Sequence, residues 1–144
     1  MPEAIQVFLA EDDHDDSFLF QEALARLPYL VNLLIAEDGE QLIGLIYKYQ
    51  SPDFIFLDLN MPRKDGYEVL DHIRSIAEME EVTVIILSTS SSSESVDRAF
   101  RAGADLYIKK PDNFPSLVRA IDTCLQRKDK NPDKPSKEEF LLMV

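Results

Sequence analysis

Four points in the 144-residue chain set chemically capable side chains directly behind apolar runs. Glu11, Asp12 and Asp13 follow IQVFLA, Asp58 follows FIFL, Ser88 and Thr89 follow TVIIL, and Lys110, with Pro111 behind it, follows LYIK. Carboxylates gathered in one place repel unless a cation or protons neutralise them. Hard oxygen ligands of this kind suit Mg²⁺, which keeps several waters and favours a phosphoryl partner. A lysine beside them can hold an oxyanion. If the fold gathers the four points, the result is a cleft for a divalent cation and an anionic group.

The elements that must do the gathering are legible as period and punctuation. Strands are expected at 5–10, 31–36, 53–57, 82–87 and 106–108, the fourth rich in β-branched residues. Between them lie helical patterns. Phe20, Ala23, Leu24 and Leu27 share one face of a helix over 16–27; Leu42, Leu45 and Ile46 mark 40–49; Val69, Leu70 and Ile73 mark 67–76. A serine cluster at 90–93 can cap a fourth helix carrying Val96, Ala99 and Phe100, which Gly103 would stop. The fifth helix spans 114–126, with Leu117, Ile121, Cys124 and Leu125 inward. Pro62 and Asp65-Gly66 mark a loop. Strand-helix alternation, with apolar strands that do not alternate, predicts an α/β fold: a doubly wound, five-stranded parallel sheet flanked by five helices. Ligands of such sheets bind beyond the carboxyl ends of the strands, where the four points fall.

Bulk properties narrow the function classes. Net charge is −12, so a basic phosphate-backbone footprint is missing and no direct DNA binding is expected. One cysteine, Cys124, excludes an internal disulfide framework and a multi-thiolate metal site, and it reads as an inert buried thiol. There is no apolar run long enough to cross a membrane and no signal-peptide pattern at the N-terminus, so a cytoplasmic location is expected. Residues 1–40 hold ten acids against Arg26 alone, whereas RKDKNPDKPSK at 127–137 holds five bases and two acids. The chain divides into one domain, 1–127, and a tail, 128–144, whose linker ends in the apolar EEFLLMV. That end should fold back on the domain or fray, or else pack on a partner or a second copy.

FLAEDD, FIFLDLNMPRKDG, IILSTS and YIKKP, in this order and spacing, resemble the receiver domain of response regulators, the CheY-like family, over about residues 4–127. LDLNMPRKDG and LSTS resemble the small regulators that accompany bacteriophytochrome-type kinases. The resemblance implies a single-domain response regulator that takes a phosphoryl group from the phosphohistidine of a sensor histidine kinase or phosphotransfer protein. Asp58 would be the phosphoacceptor. Asp12 and Asp58 would ligate Mg²⁺ directly, Glu11 through a water, and Asn60 by its backbone carbonyl. Thr89 would turn its hydroxyl to the phosphoryl group, Lys110 would contact a phosphoryl oxygen, and Tyr107 would be the aromatic switch that follows Thr89. The Lys110–Pro111 peptide is cis in the family. The output would be contact with a downstream protein target, with homodimerisation on phosphorylation as a further option. The chain would catalyse only its own phosphorylation and dephosphorylation.

Departures from the family pattern are Glu11 in place of the more familiar aspartate, Asp112 behind Lys110-Pro111, and the polar serine run after Thr89, where Ser91 could tune dephosphorylation. Other residues have plainer readings. Asp13, Asp15 and Asp16 suit a solvated helix N-terminus. His14 and His72 read as isolated, Lys109 as a surface lysine. Three alternatives compete: a receiver-shaped interaction module that is never phosphorylated, an aspartate-nucleophile phosphohydrolase, and a flavodoxin-like FMN carrier. The phosphohydrolase would need an acid where Asn60 stands. The FMN carrier would need a phosphate-cradling loop where the first acids stand.

Overall fold

The computed structural model describes residues 4–49, 51–61, 65–127 and 140–142. Pro62 and the linker 128–139 lie outside the described residues. Strands β1 (Ile5–Ala10), β2 (Val31–Ala36), β3 (Phe54–Asp58), β4 (Thr83–Ser88) and β5 (Leu106–Lys109) alternate with helices α1 (His14–Ala25), α2 (Gly39–Lys48), α3 (Gly66–Ser75), α4 (Ser93–Arg101) and α5 (Phe114–Leu125). The five strands and five helices expected from the sequence are present, with ends that differ by one or two residues. A two-residue strand, β6 (Leu141–Leu142), is added at the far edge.

The sheet order is β2-β1-β3-β4-β5-β6 and every pairing is parallel. The β3 side chains show how a parallel strand reads as one apolar run. Phe54 and Phe56 face α1 and α5; Ile55 and Leu57 face α2, α3 and α4. All four are buried, so no polar residue interrupts the run. On the first face Phe20 of α1 meets Phe56 edge-on, ring centroids 4.9 Å apart, beside Ala120, Ile121 and the buried Cys124 of α5. On the other, Leu42, Ile46, Val69, Leu70 and Ile73 close over the sheet.

Helix starts follow the capping chemistry. Asp13, Asp38, Ser92 and Asn113 each accept a hydrogen bond from the backbone N–H three residues on. Asp65 caps α3 by accepting from Tyr67 N–H. Gly66 then passes so close to the chain that a Cβ there would lie 2.9 Å from Leu59 Cα. Gly103, at φ 101°, ends the turn after α4 in the left-handed region.

At the amino-terminal edge of the sheet, Arg74 clasps three backbone carbonyls (Gly103 at 2.8 Å, Met79 at 3.1 Å, Val82 at 3.0 Å) and the Asp105 carboxylate at 2.7 Å. Asp105 also accepts Val84 N–H, so the clasp ties α3 to β4 and β5.

The apolar C-terminal segment reaches the sheet. Phe140 is fully buried, with ring centroids 5.2 Å from Phe100 and 6.1 Å from Tyr107. Leu141 and Leu142 pair with Tyr107 and Ile108.

Candidate functional site

β1 sits between β2 and β3, so the chain winds one way from β1 to β2 and the other way towards β3. Connections diverge at this reversal and leave a crevice beyond the carboxyl ends of β1 and β3. The β1–β3 register sets Ala10 beside Leu57, which brings Glu11 and Asp12 next to Asp58. One carboxylate oxygen from each of the three lies within 4.8 Å of the others. The β4–β5 register sets Ser88 beside Lys109, and Lys110 N–H donates to the Ser88 carbonyl at 2.7 Å, which brings Lys110 to the same edge.

Asp58 is buried and fixed through both oxygens. Oδ1 accepts Asn60 N–H at 2.9 Å; Oδ2 accepts Lys110 Nζ at 3.1 Å. Lys110 also donates to Glu11 Oε1 at 3.0 Å and to Asp16 Oδ2 at 3.2 Å. Asp12 is exposed at the mouth, whereas Glu11 is buried. Burial, with the Asp58 carboxylate beside it, pushes the Glu11 carboxyl up to about 8, although Lys110 opposes the shift. Burial disfavours the Lys110 ammonium, but the Glu11 hydrogen bond and the Asp58 charge outweigh it and hold its pKa above the usual lysine value. The site therefore carries more negative charge than one ammonium offsets, and protonation of Glu11 relieves it. A divalent cation would do the same with a charge of two.

Thr89 and Tyr107 stand apart from the carboxylates. Thr89 is exposed behind β4, and its Oγ1 accepts the Asn60 side-chain amide at 3.4 Å. Tyr107 is buried in β5; its hydroxyl donates to the Ser90 carbonyl at 2.6 Å, so its ring is turned inward under the serine loop. The buried hydroxyl keeps its proton, its pKa raised by burial. Asp112 is exposed and leaves α5 seated by its Asn113 cap.

Several plainer readings need amendment. Asp16 does more than decorate a helix start, since it reaches Lys110. Asp13 is the cap of α1. His14 pairs with Glu37 at 3.2 Å on the surface, and His72 meets the Tyr47 hydroxyl at 3.3 Å. No peptide is cis among the described residues, so Lys110–Pro111 is trans, the ordinary isomer before proline and not the one the resemblance implied.

Residues 7–122 match the family model of the response regulator receiver domain. The chain belongs to this family. Among curated relatives, the response regulator Rcp1 of Synechocystis sp. is 31% identical over 121 residues, covering 80% of this chain and 82% of Rcp1. Among solved structures, the phosphorylated cyanobacterial phytochrome response regulator RcpA is 29% identical, with a TM-score of 0.81 over 93% of this chain and all of RcpA. The Mn²⁺-bound form of Rcp1 is 27% identical, with a TM-score of 0.78 over 92% of this chain and 99% of that one. This receiver is thus a phosphoacceptor module of two-component signalling, and its solved relative Rcp1 holds Mn²⁺; among the described residues no helix is long and apolar enough to cross a membrane.

Proposed function

We propose that Asp58 is the phosphoacceptor of this receiver, and the observation that carries the reading is its fixed, buried carboxylate against Lys110 at 3.1 Å, beside Glu11 and Asp12. A carboxylate oxygen of Asp58 attacks the donor phosphorus. An O–P bond forms, the P–N bond to the donor imidazole breaks, and the imidazole nitrogen recovers a proton. Little covalent assistance is needed; position and charge neutralisation dominate such a transfer. Lys110 is near enough to hand one N–H from Asp58 Oδ2 to a phosphoryl oxygen. The carboxylates fit Mg²⁺: Asp12 and Asp58 as direct ligands, Glu11 through a water, Asn60 by its carbonyl. When bound, the ion offsets charge on the phosphoryl oxygens.

Thr89 then exchanges its contact with Asn60 for one to a phosphoryl oxygen. The loop 89–92 follows, and Tyr107, anchored to Ser90, loses or keeps its partner accordingly. Phosphorylation is in this way converted to a change of packing around Tyr107 beneath Phe140, which a downstream protein can read. The donor is the phosphohistidine of a sensor kinase or phosphotransfer protein, and exposed Phe18 and Leu19 on α1 offer it apolar contact near the site. The protein acts in the cytoplasm as a switch that processes only its own phosphoryl group. Kinship to phytochrome regulators favours a light-sensing kinase as the source.

Borohydride reduction of the phosphorylated protein tests the assignment. An aspartyl phosphate becomes homoserine, and peptide mapping should place that change at Asp58. A change at Asp12 or another carboxylate would contradict the assignment, and no acyl phosphate at all would favour the non-phosphorylated interaction module.

A further inference from the structure

Lys110 has three N–H donors, and the structure gives each a carboxylate: Glu11 at 3.0 Å, Asp58 at 3.1 Å and Asp16 at 3.2 Å. The three are not equivalent. Glu11 and Asp58 side chains are 3% and 2% exposed and belong to the carboxylate cluster described above. Asp16 is 44% exposed and outside that cluster. It comes from the first turn of α1, 94 residues away, and its capping needs are already met by its own N–H donating to Asp13. Besides Glu11, Asp16 and Lys110 itself, the described residues that line the cavity beside the ammonium are apolar, among them Leu9, Leu19, Phe20 and Leu87.

We propose that Asp16 is a positioning residue that restrains Lys110, holding in the resting protein an N–H that the phosphoryl group must take. This rests on the reading of Asp58 as phosphoacceptor. Unpairing a buried carboxylate is costly, whereas Asp16 can return to water, so Asp16 is the partner that Lys110 gives up. The ammonium keeps its two buried partners, so loss of the third frees one N–H without drawing Nζ away from Asp58. What it removes is a negative charge near the path of an anionic donor. In a half-exposed, water-like dielectric, one charge a few ångströms away changes a rate by about fivefold.

Asp16→Asn is therefore expected to take up phosphoryl from acetyl phosphate about fivefold faster than wild type. It should also bind beryllofluoride more tightly at the same Mg²⁺ concentration. The advantage should shrink as salt rises, because the half-exposed charge is screened. Asp16→Glu, which restores the charge, should return the rate towards wild type. In ¹⁵N spectra the Lys110 ammonium signal of wild type should be slowed in exchange and should broaden in Asp16→Asn. Melting temperature guards against a folding artefact, and Asp16→Ser serves if the amide variant does not fold. A rate equal to or below wild type in a folded, charge-free variant overturns the restraint. So does an acceleration with no change in the Lys110 ammonium signal, which removal of a charge alone would give. If wild type itself takes up no phosphoryl group, the assignment of Asp58 fails and the restraint falls with it. If wild type is labelled and Asp58→Asn is not, the assignment stands, and the rate ratio and the ammonium signal decide.

Discussion

Glu11 carries a cost that a structural residue would not. Its carboxyl sits near 8 in the folded chain against the usual 4.5, because burial and Asp58 disfavour the ionised form. The folded protein thus holds a proton that the unfolded chain has released between about pH 5 and pH 8, and the metal-free protein should lose stability as pH rises through that window. Glu11→Gln should remove this slope and raise the melting temperature of the metal-free protein at pH 9, while weakening the response to Mg²⁺. Thermal scans from pH 5 to 9, with and without Mg²⁺, check both; a slope that survives in the variant would locate the proton elsewhere. That Glu11, Asp12, Asp58 and Lys110 come together is legible in the sequence, because each follows an apolar run that must be a strand, and strand ends of a parallel sheet converge. That Asp16 joins them is not. An acid in the first turn of a helix has an ordinary explanation in the helix dipole, and only the α1–β5 geometry reveals its reach to Lys110.

At the scale of elements, the site is held by short connections on rigid strands. Gly66 is the clearest case. The sequence marks it as a loop residue, but it opens α3 where the chain passes directly over Leu59, one residue beyond Asp58. Gly66→Ala should cost about 2 kcal/mol by overpacking against backbone that cannot give way. It should also slow phosphoryl uptake, because the strain falls on the β3 exit. Denaturant midpoints and acetyl phosphate kinetics test the pair; an unchanged midpoint would mean that Leu59 shifts freely. The strands could be read to within a residue or two, since β-branched and aromatic runs end in polar residues. β6 could not. EEFLLMV announces only an apolar segment that needs cover, and nothing local names the edge of β5 as its place. Phe140 against Phe100 and Tyr107 is the anchor, and Phe140→Ala should cost about 3 kcal/mol by chemical denaturation. Loss below 1 kcal/mol would mean that the contact is weak in solution.

Over the whole molecule, two clamps hold opposite ends of the sheet. At the carboxyl edge Lys110 draws β1, β3 and α1 to β5, at the site proposed to take up the phosphoryl group. At the amino edge Arg74 and Asp105 lock α3, β4 and β5, with side chains 14% and 11% exposed. The second clamp has no part in the proposed chemistry, so its removal should separate stability from function. Arg74→Ala leaves Asp105 buried without its cation and should cost about 3 kcal/mol, while phosphoryl uptake per folded molecule stays near wild type. A folded variant that had lost phosphoryl uptake would show that the two edges are coupled. The acidic balance of the chain is consistent with this division, since the excess negative charge in residues 1–40 includes the metal-binding candidates Glu11 and Asp12.

Intact mass after incubation with acetyl phosphate and Mg²⁺ tests the central claim most directly, on wild type, Asp58→Asn and wild type with chelator. Gain of one phosphoryl mass in wild type, absent from the other two, is the expected result. An equal gain in Asp58→Asn, or no gain in wild type together with no Mg²⁺-dependent response to beryllofluoride, would contradict a metal-assisted phosphoryl switch at Asp58.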